Sequence, residues 1–234
     1  MKFHNTLSAI VLGVGLAASG CQQAAEVPAK ALTEDQKAIY SFGIAVGQQV
    51  SQQTKQIRLT PEEMEVFQSG FSDALAGKKP AVEIAQYQEK FQTIARARIA
   101  AGAAETKEKG AAFLAQAAQE PGAVKTDSGL VFKTLTPGTG AHPQATDTVR
   151  VHYHGTLTDG KVFDSSVQRG EPAEFALNRV IPCWTEGVQR MQVGEKAKLV
   201  CPAAIAYGDR GAGADIPPGA TLIFEVELLA IKDK

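Results

Sequence analysis

Apolar side chains recur at helical spacing in the segment that follows residue 32. Thr33 is a suitable N-cap, and Gln36 stands three residues later, where it completes a capping box. The apolar positions that follow are about one helical turn apart: Ile39, Phe42, Val46 and Val50. This pattern predicts an amphipathic helix.

A second amphipathic helix is predicted to begin at Thr60. Thr60 supplies the N-cap, Pro61 the proline of the first turn and Glu63 the capping-box acid, and Gly77 ends the helix. Its apolar face consists of Met64, Phe67, Phe71 and Leu75. Two short helices cannot bury so many aromatic side chains alone. Their apolar faces therefore need a partner, either the rest of the chain or a second copy of it.

After Pro80, a long stretch to about Gln119 contains no proline and predicts one extended helix. At 1.5 Å per residue, this helix would be roughly 55 to 60 Å long. Its first half carries larger apolar side chains, namely Tyr87, Phe91, Ile94 and Ile99. The second half is rich in alanine and charge, with too few large apolar residues for a core. We interpret it as a solvent-exposed stalk, which Gly102 and Gly110 would loosen at a cost of about 1 kcal/mol each.

From Ser128 the apolar period changes to two, which is typical of strands. The alternating apolar positions are Leu130, Phe132, Val149, Val151, Tyr153, Ala197, Leu199, Leu222, Phe224, Val226 and Leu228. Turn clusters occur at residues 158–160 and 217–219, and one short helix is predicted over residues 184–191. The expected architecture is α+β: an antiparallel sheet wrapped around one short helix, preceded by an all-α module and a long helix.

Composition and charge narrow the range of functions. A chain of 234 residues with 44% hydrophobic side chains can bury one ordinary core and still have about 80 to 100 residues for a smaller module. The formal net charge is -1, from 24 basic and 25 acidic residues, so no positive field exists to attract nucleic acid. We therefore expect no nucleic-acid partner.

The N-terminus has the features of an export signal. Lys2 precedes an apolar run over residues 7–18 that is too short to span a bilayer. The run closes on Ala-Ser-Gly-Cys, which resembles the bacterial lipobox, so we predict a signal peptide (1–20), lipidation of Cys21 and a polar tether (21–31). A secretory signal without lipid is the alternative. Gln22 after the cysteine favours the outer membrane of a bacterial cell envelope, facing the periplasm or the surface.

Four segments of the C-terminal part, VRVHYHGTLTDGKVFDSS, VIPCWTEGVQRMQVGEKAKLV, AYGDRGAG and IPPGATLIFEVELL, resemble the FKBP-type peptidyl-prolyl cis/trans isomerases in order and spacing. Upstream, YSFGIAVGQQV, FQSGFSDALAGK and KEKGAAFLAQ resemble the dimerising N-terminal module of the Mip and FkpA group of bacterial isomerases. The resemblance implies a helical dimerisation module (32–80), a stalk helix (81–120) and an isomerase domain (125–234).

The resemblance also implies an apolar pocket for the proline ring of a client. Its members would be Tyr153, Phe163, Val180, Ile181, Trp184 and Phe224, with Trp184 as the floor. Asp164 would lie beside the rotating amide. The Tyr207 hydroxyl and the Ile181 N–H would donate hydrogen bonds to the client. Ile216 would lie on a loop that overhangs the groove. Taken singly, each apolar residue could be ordinary core, Asp164 a solvated turn residue and Tyr207 a plug at the sheet edge.

The chemistry that such a pocket performs requires no cofactor. Rotation of an Xaa-Pro amide is opposed by a resonance barrier of about 18 to 20 kcal/mol. Lowering that barrier takes no nucleophile, metal or redox group, only a site that binds the twisted amide better than the planar forms. We therefore expect no cofactor, and proline-containing polypeptides as partners.

Two departures from the family pattern stand out. Ala173 replaces an aromatic residue two positions before Phe175, which would leave one wall of the pocket more open. Cys183 and Cys201 occupy positions where the family usually has other small or apolar residues. In an oxidising compartment they could form a disulfide, which would contribute about 3 kcal/mol for a loop of roughly 19 residues. Two buried free thiols are the alternative, and no C-x-x-C motif indicates a redox enzyme.

Other apparent signals are weak. His152 and His154 share a strand face but lack a third metal ligand, so no metal site is predicted. Gly208, Gly211 and Gly213 lead into prolines rather than into a helix, so they do not form a phosphate loop. The leading hypothesis is a dimeric, lipid-anchored prolyl isomerase for exported or surface proteins, with an accessory chaperone activity. The alternatives are a holdase chaperone with incidental isomerase activity and a purely structural lipoprotein.

Overall fold

The computed structural model describes residues 32–232 of the chain. The predicted signal peptide, Cys21 and the tether lie outside the described residues. The chain divides into two units between residues 47 and 48, and the described residues of the first unit, 32–47, contain the beginning of a helix. Within residues 32–232, no helix combines the length and the apolar character that crossing a membrane requires.

Three helices form the N-terminal part: α1 (Glu34–Ile57), α2 (Pro61–Leu75) and α3 (Ile84–Ala117). The helical N-terminal region and its long last helix confirm the predicted fold class. Thr60 caps α2 through a capping box, since its Oγ1 accepts from the Glu63 N–H at 3.3 Å and its own N–H donates to Glu63 Oε2 at 2.9 Å. Glu63 also accepts two 2.7 Å hydrogen bonds from the Arg98 guanidinium, which joins α2 to α3.

The C-terminal part is a seven-stranded antiparallel sheet with two further helices. The strands are β1 (Ala123–Lys125), β2 (Val131–Thr136), β3 (Thr148–Leu157), β4 (Val162–Ser165), β5 (Ala173–Ala176), β6 (Lys196–Cys201) and β7 (Leu222–Lys232), and the helices are α4 (Ser166–Arg169) and α5 (Pro182–Arg190). The strand order is β1-β2-β6-β7-β3-β4. β5 pairs with the first half of β3 and β4 with its second half.

The period-two pattern places one face of the sheet against α5, as predicted. Leu130, Val149, Ala197, Leu199, Leu222, Val226 and Leu228 are all fully buried in one cluster with Trp184 and Val188 of α5. α5 begins before residue 184, where the sequence predicts its start, because Ile181 is its N-cap and Pro182 lies in its first turn. A proline is tolerated there because the N–H groups of the first turn have no acceptor within the helix. β1, β4 and β5 were not predicted, since strands of three or four residues are too short to show a period.

The second half of α3 is not exposed on all sides, which corrects the interpretation as a free stalk. Its buried residues are Ala103, Gly110 and Ala117, each seven positions apart and therefore on one face. A Cβ at Gly110 would lie 2.2 Å from Thr221 Oγ1, and a Cβ at Gly219 would lie 2.4 Å from the Ala103 carbonyl oxygen. The small residues that looked unfit for a core let the helix backbone approach the C-terminal domain closely.

The end of α3 covers the second face of the sheet. Ala117 packs with Val131 and Val200, which point away from α5 because side chains alternate along β2 and β6. Glu120, just beyond the helix, accepts hydrogen bonds from Lys198 at 2.7 Å and Lys133 at 3.0 Å. The Lys198 bond first, and then the Lys133 bond, lower the pKa of the Glu120 carboxyl. The sheet therefore has α5 on one face and the end of α3 on the other.

Replacement of Gly110 by alanine tests this docking. In an exposed helix the change would stabilise the chain by up to about 1 kcal/mol. Here the new Cβ would lie 2.2 Å from Oγ1 and 3.0 Å from Cβ of the buried Thr221, which cannot yield without moving the helix. We therefore expect Gly110→Ala to lower the free energy of unfolding by about 1 to 3 kcal/mol, measured by denaturant unfolding.

Gly70→Ala is the matched control, because a Cβ at this position in α2 meets no atom within 4 Å. It should leave stability unchanged or raise it. Equal stability of the two variants would contradict the docking of α3.

Candidate functional site

A cavity of about 510 Å³ opens on the C-terminal domain beside α5. Its lining is mostly apolar and aromatic: Tyr153, Phe163, Asp164, Phe175, Arg179, Val180, Ile181, Trp184, Tyr207 and Phe224. The structure thus brings together every pocket residue suggested by the sequence except Ile216. The residues that line the cavity come from β3, β4, β5, β7 and α5, and from the segments before α5 and after β6.

Trp184 is held in one orientation by three rings. It is 3% exposed and makes edge-to-face contacts with Tyr153, Phe175 and Phe224 at centroid distances of 5.3, 5.4 and 5.3 Å. Edge-to-face pairs are favourable beyond the area that they bury. The indole is therefore a fixed surface on which a ligand ring can stack.

The depth of this floor depends on how closely α5 approaches the sheet. A Cβ at Gly187 would lie 2.1 Å from Leu199 Cδ2, so a larger residue would force either the buried Leu199 side chain or the helix to move. One turn earlier, a disulfide joins Cys183 to Cys201 at the end of β6, with their Cα atoms 5.8 Å apart. Since Cys183 directly precedes Trp184, this bond ties the floor residue to the sheet.

A second part of the cavity, formed by Phe163, also depends on a ring contact and on a close approach at a glycine. Phe163 of β4 packs edge-to-face on Phe224 at 5.5 Å. A Cβ on Gly155 of β3 would lie 2.7 Å from the Phe163 ring, so the ring lies over bare backbone. A bulkier residue at Gly155 would push Phe163 into the cavity.

The polar edge of the cavity is a cluster of Tyr153, Asp164 and Arg169. Asp164 accepts a short hydrogen bond from the Tyr153 hydroxyl at one oxygen and one from Arg169 at the other. Arg169 also donates to the Tyr153 oxygen at 3.0 Å, and its guanidinium carbon lies 5.6 Å from the centre of the Tyr153 ring. Each member therefore contacts the other two.

The electrostatics of this cluster keep Asp164 ionised. Partial burial would raise the pKa of the Asp164 carboxyl, but the hydrogen bonds from Tyr153 and Arg169 and the charge of Arg169 outweigh it, so the pKa lies below its usual value. Burial first, and then the bond to Asp164, raise the pKa of the Tyr153 hydroxyl, which stays protonated. The negative charge of Asp164 is thus balanced by Arg169 at neutral pH.

Donors at the cavity have no protein acceptor within residues 32–232. Ile181 is the N-cap of α5, where the backbone N–H precedes the helix, and that N–H donates to no described residue. The Tyr207 side chain is 40% exposed and its hydroxyl makes no bond to the described residues. The buried indole N–H of Trp184 also lacks an acceptor there. The Ile181 N–H and the Tyr207 hydroxyl are therefore available to a ligand carbonyl, whereas the indole N–H is enclosed by the protein.

Ile216 does not line the cavity, contrary to expectation. It is 7% exposed and packs in the core, and it exchanges backbone hydrogen bonds with Ala212 at 2.9 and 3.1 Å. These bonds close a tight loop that turns the side chain inward. It shapes the segment that follows Tyr207.

Three residues of the site were missed from the sequence. Phe175 was considered only as a reference point for Ala173, and the four-residue strand that carries it shows no clear period. Ala173 packs against the core beside it. Arg169 and Arg179 look like ordinary surface arginines in the sequence, and only the fold brings one to Asp164 and the other to the cavity.

His152 and His154 have partners other than a metal. The Nδ1 atoms lie 3.2 Å from Ser166 Oγ and 3.0 Å from Ser165 Oγ, respectively. Within the described part of the chain, no group of three or more histidine, cysteine or acidic side chains is placed to hold a metal ion.

Two family models and several curated proteins match this chain. A family model described as FKBP-type peptidyl-prolyl cis-trans isomerase matches residues 139–229, and one described as the domain amino terminal to it matches residues 35–134. The FKBP-type 22 kDa peptidyl-prolyl cis-trans isomerase of Escherichia coli (strain K12) is 47% identical over 206 residues, covering 85% of this chain and 96% of that protein. The outer membrane protein MIP of Legionella longbeachae is 39% identical and covers 99% of both.

A solved structure shows the same likeness. The crystal structure of FkpA from Escherichia coli superposes with a TM-score of 0.64 at 38% sequence identity. The match covers 86% of this chain and 97% of that one.

Removing the disulfide should destabilise the floor of the cavity. For a sequence separation of 18, the double variant Cys183→Ala/Cys201→Ala should lose about 3 kcal/mol of unfolding free energy, since the unfolded chain is no longer constrained. Urea unfolding followed by the fluorescence of Trp184, the single tryptophan of the chain, measures this. A reductant should shift the wild-type midpoint and leave that of the double variant unchanged; a wild-type midpoint insensitive to reductant would contradict the prediction.

Proposed function

The chain belongs to the FKBP-type peptidyl-prolyl cis-trans isomerases, and on that premise we propose that it accelerates Xaa-Pro rotation in exported or surface proteins by holding the twisted amide in the Trp184 cavity. The observation that carries the proposal is the set of fixed rings around an indole floor, beside the Ile181 N–H and the Tyr207 hydroxyl, which have no acceptor among residues 32–232. Such a site fits a five-membered apolar ring with a carbonyl on either side of it.

The barrier to be lowered is electronic. Resonance across the C–N bond gives a barrier of about 18 to 20 kcal/mol, and the planar amide is more dipolar than the twisted one. Moving the amide from water into an aromatic cavity removes solvation that favours the planar form. An acceleration of about 10⁵-fold requires about 7 kcal/mol of selective binding of the twisted amide.

The polar groups have distinct roles in this mechanism. The Ile181 N–H and the Tyr207 hydroxyl bind client carbonyls and so hold the chain on both sides of the rotating bond. Twisting interrupts amide resonance and leaves the carbonyl carbon more positive. The Asp164 carboxylate, kept ionised and oriented by Tyr153 and Arg169, stabilises that charge.

We also propose a homodimer through the N-terminal helices. Each of the three helices has exposed apolar side chains, among them Ile39, Phe42, Phe71, Tyr87 and Phe91, with exposures from 39% to 71%. Isolated exposed apolar residues are normal on a soluble protein, but a series along every helix is not. A second copy of the chain would cover these faces, in agreement with the match to the amino-terminal family domain.

The location that we propose is the bacterial cell envelope, with a lipid anchor on Cys21. A relative over nearly the whole chain bears the name outer membrane protein MIP. The lipobox-like sequence before Cys21 supports the anchor. The disulfide agrees with an oxidising compartment, where such bonds persist.

A holdase chaperone is the second candidate function, supported by the same exposed apolar side chains on the helices. In this alternative, unfolded chains bind to those faces and isomerisation is incidental. The two functions differ in whether the cavity is needed. Protection of a proline-free aggregating client by a cavity variant as well as by the wild type would assign chaperoning to surfaces outside the cavity.

Two substitutions test the isomerase mechanism. Phe163→Ala removes a wall of the cavity, and Asp164→Ala removes the charge beside the amide. Each should lower kcat/KM for a proline peptide at least tenfold, equivalent to about 1.4 kcal/mol or more of transition-state stabilisation, in a protease-coupled or NMR exchange assay.

Asp127→Ala, an exposed aspartate that does not line the cavity, is the control for lost charge and should retain wild-type turnover. Circular dichroism confirms that each variant is folded. Wild-type rates in both cavity variants would exclude the proposed mechanism.

The dimer is tested by mass. Light scattering on the signal-free protein should give twice the mass of one chain at micromolar concentration. Phe91→Glu should yield monomers, because a charge would be buried between two apolar faces. Val124→Glu, in β1, is the matched control, since both side chains are 54% exposed. A monomeric wild type would refute the dimer.

A further inference from the structure

Arg179 is a charged residue at the cavity that the proposed mechanism does not use. It lines the cavity together with its neighbours Val180 and Ile181. Among the cavity residues, the only other one charged at neutral pH is Asp164. Arg169 already balances the charge of Asp164, with which it forms an ion pair, and it also donates a hydrogen bond to the Tyr153 hydroxyl oxygen.

Arg179 itself has no carboxylate partner within residues 32–232. Once the Asp164–Arg169 pair is set aside, the cavity therefore has one uncompensated positive charge at its edge. That charge meets a client before and during isomerisation, because the residue is exposed to solvent.

The backbone around Arg179 is held firmly at this edge. It ends a single 3₁₀ turn, Leu177–Arg179. Leu177 is fully buried, its N–H donates to the Asp147 carbonyl at 3.0 Å, and its own carbonyl accepts from Thr185 Oγ1 at 2.6 Å. The turn is thereby fastened both to α5 and to the segment before β3. The backbone of Arg179 is consequently held two positions before Ile181, whose N–H is proposed to bind a client carbonyl, and both residues line the cavity.

We propose that Arg179 makes the enzyme prefer clients that carry an acidic side chain next to the isomerised proline. This inference rests on the proposed isomerase function and adds a substrate class to it. A client carboxylate would complete the missing ion pair, and a guanidinium can bind it through two parallel hydrogen bonds. A basic flanking residue would instead be repelled.

The size of the preference follows from the exposure of the site. Ion pairs near solvent are weak, which corresponds to roughly a two- to fivefold difference in kcat/KM between a client with glutamate and one with glutamine at the same position. The preference should decline as salt is added, because exposed charges are screened over about 10 Å at 0.1 M ionic strength. Hydrophobic contacts with the rings would not decline in this way.

The experiment measures kcat/KM of the full mature chain, as the enzyme, for two series of short proline peptides. One series varies the residue before proline and the other the residue after it, each with glutamate, glutamine or lysine. Wild-type enzyme at low salt should turn over the glutamate peptide of one series two- to fivefold faster than the glutamine peptide, with lysine slowest. The series that responds identifies the side of the proline that Arg179 meets.

Arg179→Gln should bring the glutamate-to-glutamine ratio to about one, and Arg179→Glu should favour the lysine peptide. Arg150→Gln is the matched control, because it removes the same net charge from an exposed arginine outside the cavity and should keep the wild-type ratio.

Equal rates for glutamate and glutamine peptides in both series would overturn the inference. So would a loss of the ratio in Arg150→Gln as well, since the effect would then come from overall charge. A complete lack of turnover on every peptide would instead refute the isomerase function itself, so the two failures are distinguishable.

Discussion

The close packing of α5 on the sheet is the contact on which the site depends. At Gly187 the helix lies so near β6 that any side chain would overlap Leu199, and the Cys183–Cys201 bond joins the same two elements one turn away. This distance sets the height of Trp184 below the mouth of the cavity. At this position of the helix, three rings contact Trp184 edge-on. A single helix–sheet spacing therefore determines the shape of the binding surface.

Around that apolar floor, charge is distributed unevenly. Tyr153, Asp164 and Arg169 form a closed cluster in which the charges balance and the carboxylate stays ionised. Arg179 stands outside it, on a turn that the core holds in place. The first arrangement suits a general reaction on any Xaa-Pro bond, whereas the second can distinguish between clients. In the proposed mechanism, catalysis and selectivity therefore belong to different groups at one cavity.

The helical part contributes in two different ways. The end of α3 approaches the sheet domain through Ala103, Gly110 and Ala117, and Glu120 pairs with two lysines of the sheet. Close approach of small residues and part-buried ion pairs together hold this segment against the domain. The larger apolar residues of α1, α2 and the first half of α3 stay exposed. They are the surfaces that a second chain or an unfolded client would cover.

The sequence alone determined the elements whose pattern is local. Capping residues located the start of α2, alternation along β3 and β7 identified the buried face of the sheet, and the spacing of the motifs indicated the family and most of the cavity residues. Tertiary structure decided which surfaces meet. Gly110 looked like a weak point in a free stalk and proved to be a contact, Ile216 turned inward, and Phe175 and Arg179 reached the cavity from a short strand and a single turn. Periodicity reports which face of an element is apolar, but the partner of that face depends on long-range packing, which no local pattern contains.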